Sequence, residues 1–303
     1  MIRTYNELYM ELRRQLKDAG AEACSLEAQL LLACAAGKSR TQLLRDLRLY
    51  SSPEIEERLA ALARRRLSGE PAAYILGKWE FYGLEFTITP EVLIPRPDTE
   101  TLVDKALELA GKRSSALRIL DLCTGSGCVG CALARQLPQS HVVRADLSRA
   151  ALNGAKQNAR DCGLGARAVC VEADALSEPA PQLGFFDLIV CNPPYVARPE
   201  LPSLDVSVRE YEPIAALDGG ADGLDFYRSI TPRWKSVLQP GGWLLYEVGE
   251  TQADDVTHIM AQNGFTDLGT ARDSAGYRRV VYGRLLQEKM QQEEKTEKTE
   301  KDK

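Results

Sequence analysis

The residues best suited to chemistry form one short run, Asn192-Pro193-Pro194-Tyr195, directly after the apolar, strand-like Phe186-Asp187-Leu188-Ile189-Val190-Cys191. Neither proline carries an N–H, so the run offers acceptors: the Asn192 side-chain oxygen and nearby carbonyls. Asn192 precedes a proline and is pushed into an extended conformation. A rigid pair of acceptors suits a planar –NH2 group with two hydrogens to donate, and Tyr195 can stack on that group. An amide nitrogen is a poor nucleophile because its lone pair is delocalised into the carbonyl. Two acceptors hold its hydrogens, aim it at an electrophilic methyl, and strengthen as positive charge develops on nitrogen. No strong base is needed at the outset, because the proton becomes acidic only as the methyl arrives. The bland alternative for such a run is a plain turn. Its place at a strand end, after a glycine loop, favours the chemical reading.

That glycine loop is Asp121-Leu122-Cys123-Thr124-Gly125-Ser126-Gly127-Cys128. It follows a predicted strand and opens a helix, where glycines permit a tight turn and close approach to a ligand. Gly125, Gly127 and Gly130 spell G-x-G-x-x-G, a weak pattern alone; G-K-[ST] is missing, which excludes a P-loop. Asp146 stands 25 residues after Asp121, at the next strand end. A carboxylate there accepts hydrogen bonds from ribose hydroxyls. The loop admits either a dinucleotide or S-adenosylmethionine, since both contain adenosine. The acceptor run favours the second, because hydride transfer has no use for an amino-group clamp. Asp174-Ala175 follows the third strand. A carboxylate there receives an adenine amino group or, equally well, caps a helix.

Other reactive types carry less. Cys123, Cys128 and Cys131 lack paired C-x-x-C spacing, and His141 and His258 stand beside no Cys in sequence, so no metal is expected. Arg96 and Glu100 are expected to pair near the site in a structural role. Arg64-Arg65-Arg66 would touch ribosomal RNA or a protein substrate, or simply form a solvated helix face. Residues 1–86 hold 13 basic and 12 acidic side chains, which favours the solvated face.

These loops need an alternating scaffold. From about residue 115 strand-like runs (117–122, 142–146, 168–172, 186–191, 243–248) alternate with helical stretches, and two more strands follow near 265–270 and 276–283. This predicts a mostly parallel sheet with helices on both faces. Residues 1–75 carry helix signals only. Thr4 with Glu7 and Ser39 with Gln42 fit capping boxes, Ser52-Pro53 fits a helix start, and Gly20 and Gly37 fit stops. Leu26, Leu30 and Ala33 are read as an apolar helix face. Two short β-like runs around Tyr82-Gly83 suggest a hairpin linking two domains.

Composition narrows the class. The chain has 303 residues, 44% hydrophobic and 27% charged, with 38 basic against 43 acidic side chains for a net charge of −5. This is a globular composition and argues against stable binding to nucleic acid through a basic surface. The longest apolar stretch, Leu30 to Ala36, is far short of a membrane span. No secretory segment is read at the start, and the eight cysteines read as free thiols of a cytoplasmic protein. Glu288 to Lys303 has 11 charged residues in 16 and is expected to be disordered.

The loops described above resemble class I S-adenosylmethionine-dependent methyltransferases that modify amino groups. The wider match covers nearly the whole chain before the tail. Pro71-x-x-Tyr74-Ile75-Leu76-Gly77, Phe81-Tyr82-Gly83, Val92–Glu100, Glu212-Pro213, Ala216-Leu217-x-Gly219-Gly220-x-x-Gly223-Leu224 and Glu247-x-Gly249-x-x-Gln252 are similar to the peptide chain release factor glutamine methyltransferases (PrmC, also called HemK). The resemblance implies a helical substrate-recognition domain over 1–76, a β-hairpin over 77–94, a Rossmann-like α/β methyltransferase domain over 95–286 and a charged tail over 287–303. It implies that Cys123, Thr124, Gly125, Ser126, Gly127 and Asp146 contact the cofactor, with Asp174 and Ala175 near the adenine. It further implies that Asn192 touches both cofactor and glutamine, and that Pro193, Pro194 and Tyr195 cradle the glutamine. Cys123 stands where glycine is frequent. The implied activity is methylation of the Gly-Gly-Gln glutamine of release factors by a cytoplasmic monomer. Glutamine methylation of a large-subunit ribosomal protein and DNA adenine methylation are the alternatives; the second lacks a basic target-recognition region.

Overall fold

Helix start signals set the first elements of the computed structural model, which describes residues 3–111 and 116–286. The capping boxes Thr4/Glu7 and Ser39/Gln42 are both formed, opening α1 (Tyr5–Asp18) and α3 (Arg40–Arg45). Ser52 caps α4 (Pro53–Leu67), with proline at its first position. Between them lies α2 (Cys24–Ala36), closed by Gly37 at φ 63°, and after them α5 (Ala72–Leu76). The expected Leu26/Leu30/Ala33 face of α2 is corrected: Leu26 is exposed, and Ala28, Leu31, Leu32 and Ala35 are buried with Ala33. The second half of α2 is apolar nearly all round, so spacing alone does not select the face.

Contacts divide the chain into two units, Met1–Lys78 with Asp205–Tyr211, and Trp79–Leu204 with Glu212–Lys303. The first is built on Leu8, Leu12, Leu16, Leu31, Leu32 and Leu43. It includes Asp205–Tyr211, which the sequence reading left with the α/β half; Gly69 packs against Val206 and Tyr211 there.

The second unit, from Trp79, opens in a hairpin of β1 (Lys78–Phe81, its first residue counted with the first unit) and β2 (Leu84–Thr87), then α6 (Glu100–Ala110). Alternation follows through β3 (Arg118–Leu122), α7 (Cys128–Gln136), β4 (His141–Asp146), α8 (Arg149–Asp161), β5 (Ala168–Glu172) and β6 (Phe186–Cys191). Next come the one-turn α9 (Val206–Arg209, in the first unit), α10 (Asp225–Trp234), β7 (Leu238–Glu247), α11 (Ala253–Gln262), β8 (Phe265–Arg272) and β9 (Arg278–Leu285). The seven strands lie in the order β5-β4-β3-β6-β7-β9-β8, with only the β7–β9 and β9–β8 pairs antiparallel. Strand order reverses between β3 and β6, where a crevice opens beyond their carboxyl ends. Those ends carry Cys123 and Asn192.

The hairpin is held within this unit. Buried Asn158 of α8 accepts the Thr87 N–H at 2.8 Å and donates to the Thr87 carbonyl at 3.1 Å and the Ser126 carbonyl at 2.9 Å. One side chain thus ties β2 to the glycine loop. The tail expected over 287–303 lies outside the described residues. Among the described residues, no helix is long and apolar enough to cross a membrane, and no cluster of metal-ligating side chains occurs.

Candidate active site

The glycine loop is shaped from beneath by buried charge. Asp121, at 3% exposure, accepts the Thr124 hydroxyl and, at 2.9 Å, the Gly130 N–H. Burial pushes its pKa up to about 6 against these two hydrogen bonds. Arg144 of β4 is fully buried and donates to the Ala155 carbonyl at 2.6 Å and the Ala168 carbonyl at 2.8 Å. A Cβ on Gly130 would lie 2.7 Å from Arg144 Cγ and 2.8 Å from Asp121 Oδ2, so this glycine exists for packing. Gly127, at φ 81°, plays the same part: a Cβ there would meet Arg144 Nη1 at 2.7 Å. Gly125 differs, with φ 53° and open space where a Cβ would stand. Cys123 adopts φ 60°, in the left-handed region that favours glycine.

Asp146 faces the same loop. Its Oδ2 accepts the Gly125 N–H at 2.8 Å and its Oδ1 the Ser148 N–H at 2.9 Å. A carboxylate has about four lone-pair sites, so two remain for ligand hydroxyls. Asp174 accepts the Leu176 N–H at 2.9 Å and the Ser177 hydroxyl at 2.8 Å. The helix-cap reading is thereby corrected, because a turn follows Asp174 and no α-helix starts there. Ala175 is pinned by the Trp234 indole, which donates to its carbonyl at 2.9 Å.

A cavity of about 480 Å³ joins these pieces. Its wall includes Cys123, Thr124, Gly125, Ser126, Asp146, Asp174, Ala175, Asn192 and Pro194. Gly127, Pro193 and Tyr195, expected at the ligands, do not line it. Gly127 lies against Arg144, and Pro193 is buried. Tyr195 is held by backbone packing: a Cβ on Gly219 would stand 2.7 Å from its Cα, and one on Gly223 2.3 Å from its carbonyl oxygen. Gln252 donates to that carbonyl at 2.9 Å and to the Gly223 carbonyl at 3.2 Å, while accepting the Gly249 N–H at 3.0 Å. These glycines and Gln252 are the motif residues whose role the sequence left unexplained.

The expected Arg96–Glu100 pair does not form. Arg96 pairs with Glu212, whose side chain is 1% exposed and whose Oε2 accepts the Ile94 N–H at 3.0 Å. Glu100 accepts the Tyr82 N–H at 2.8 Å instead. A partner 116 residues away is invisible to spacing rules. Sequence reading also missed Thr99, Phe226 and the Pro213–Ala216 segment at the cavity.

The chain matches two protein families, described as the PrmC N-terminal domain over residues 7–77 and the methyltransferase small domain over 99–204. The release factor glutamine methyltransferase of Geobacter sulfurreducens is 45% identical over 90% of this chain and 94% of its own length. That of Bradyrhizobium diazoefficiens is 42% identical over 91% and 93%. Among solved structures, the hMettl16 catalytic domain superposes with a TM-score of 0.52 at 17% identity, over 78% of this chain and 82% of that one, a likeness of fold. The seven-stranded α/β unit is a Rossmann-like class I methyltransferase fold, built to use a methyl donor. The chain belongs to the release factor glutamine methyltransferase family.

Proposed function

We propose that this protein transfers the methyl group of S-adenosylmethionine to the side-chain amide nitrogen of the glutamine in the Gly-Gly-Gln motif of peptide chain release factors, in the cytoplasm. The observation that carries this reading is the shared cavity. The Cys123–Ser126 loop and Asp146 line one part of its wall, and Asn192 with Pro194 another. Residues expected to hold the donor and residues expected to hold the acceptor thus border one cavity, which supports the reading.

The residues fit the donor. The open space at Gly125 admits close backbone approach, and Asp146 retains acceptor capacity for two ribose hydroxyls. Ala175 and the half-buried Asp174 border the same space for the adenine. When bound, the donor supplies an electrophilic methyl on a sulfonium. This chain's residues then orient the acceptor. Asn192 Oδ1 and a carbonyl of the proline run receive the two amide hydrogens, and the nitrogen lone pair is left to face the methyl. Both acceptors strengthen as nitrogen gains positive charge, which is where orientation and preorganised dipoles lower the barrier.

The name shared by the relatives supports a release factor as substrate. The test offers donor labelled in its methyl group to purified release factor, large-subunit ribosomal protein and duplex DNA in parallel. Label enters the release factor alone. Label preferring ribosomal protein or DNA adenine would transfer the assignment to that substrate.

A further inference from the structure

Beside Asn192, beginning with Thr99 in the same cavity wall, lies a layer of polar groups. Asn192 Nδ2 donates to the Thr99 hydroxyl oxygen at 3.5 Å. Thr99 is 3% exposed, and its side chain helps hold down the pKa of Glu247, the last residue of β7, without closing a full hydrogen bond to it. Glu247 is 1% exposed. Its Oε1 accepts the Tyr195 hydroxyl at 3.4 Å, while its Oε2 closes no full hydrogen bond. Its backbone carbonyl is taken by the Tyr227 hydroxyl at 2.9 Å. Arg279 lends positive potential without pairing to it, being held by Asp273 at 3.0 Å and Asp98 at 3.3 Å. A buried carboxylate with an unsatisfied oxygen is costly, and such groups persist where they serve the site.

Hydrogen-bond polarity gives this layer a direction. Above about pH 7 Glu247 is ionised, and its carboxylate then only accepts. A hydroxyl beside it therefore donates, and its oxygen is left to accept. The Asn192 amide then turns its nitrogen toward Thr99 and its oxygen toward the cavity. The reversed amide would set an –NH2 against the substrate –NH2, with no acceptor for it. We propose that Glu247 and Thr99 are positioning residues: Glu247 takes the Thr99 proton, Thr99 receives Asn192 Nδ2, and the relay presents Asn192 Oδ1 to the amide, while the same carboxylate holds the Tyr195 hydroxyl. The proposal rests on the glutamine methyltransferase reading above. The bonds of 3.4 and 3.5 Å are long, as such contacts are before a ligand tightens them.

Thr99→Val keeps the shape and removes the hydroxyl, whereas Thr99→Ser keeps the hydroxyl. With full-length protein and a release factor that the wild type methylates, single-turnover transfer at saturating donor falls ~10- to 100-fold in Thr99→Val and stays within about threefold in Thr99→Ser. Donor affinity by calorimetry and the melting temperature stay near wild type in both. An unchanged Thr99→Val rate overturns the relay, as does a Thr99→Ser rate that falls equally far. If Thr99→Val does not fold, Glu247→Gln takes its place, because its amide can donate and lets the relay reverse. Its transfer rate falls similarly, and an unchanged rate overturns the proposal. Failure of the wild type to methylate the release factor refutes the substrate instead. The relay is then read without substrate, from the Asn192 side-chain amide in 15N NMR. Its signal moves in Thr99→Val and keeps its place in Thr99→Ser; a signal unmoved in Thr99→Val overturns it.

Discussion

Gln252 donates its Nε2 proton to the Tyr195 carbonyl at 2.9 Å, so the turn after β7 holds the end of the acceptor run. The same side chain satisfies the Gly223 carbonyl and the Gly249 N–H. Gln252→Ala leaves three backbone groups without these partners. We expect a stability loss of ~1–3 kcal/mol by urea denaturation. Wild-type stability in that variant would mean that the loops stand without it.

Glycines of opposite role sit in neighbouring helices. Gly130 in α7 meets Arg144 and Asp121 wherever a Cβ is added, whereas Gly154 in α8 meets nothing within 4 Å. Gly130→Ala is expected to destabilise by ~1–3 kcal/mol, as overpacking does. Gly154→Ala is expected to stabilise by up to ~1 kcal/mol through helix propensity. Two melting curves check the pair, and a stabilising Gly130→Ala would contradict the packing described.

Asp146 holds the glycine loop through the Gly125 N–H and keeps acceptor capacity for the donor. Asp146→Ala should weaken donor binding by ~1.5–3 kcal/mol, the cost of charged hydrogen bonds. Calorimetry measures it. Unchanged affinity would put the ribose elsewhere.

Glu247 makes stability depend on pH in a stated direction. Burial raises its pKa from 4.5 to about 7, against the Thr99 side chain and the Arg279 charge, and with Asp98 adding to the rise. The folded chain therefore binds this proton more tightly than the unfolded chain. The resulting stabilisation is full below about pH 4.5 and lost as pH rises through about 7. Glu247→Gln never ionises, so its melting temperature should gain on wild type between pH 5 and pH 8.5. A difference that stays constant over this range would give Glu247 an ordinary carboxylate pKa.

The parts of the site that were legible in sequence are local. Thr4, Ser39 and Ser52 announce their helices within four residues, and the Phe186–Cys191 run announces a buried strand that ends at Asn192. Asp146 at a strand end follows from the alternation. What was illegible depends on packing between distant segments. Glu212 reaches Ile94 across 118 residues, and Glu247 reaches Tyr195 across 52. Gly127 and Gly130 share the loop's pattern with Gly125, yet they pack on Arg144 of β4, which is fully buried beneath them. The family motifs marked Gly219, Gly223 and Gln252 without showing that they grip one tyrosine backbone.

The central claim is that the acceptor run delivers a methyl to a glutamine amide nitrogen. Fragmentation mass spectrometry of a release factor treated with this protein and S-adenosylmethionine tests it most directly. One methyl is expected on the Gly-Gly-Gln glutamine, at the side-chain nitrogen, and none when that glutamine is replaced by alanine. Methyl incorporation at another residue, or undiminished incorporation into the alanine variant, would contradict it.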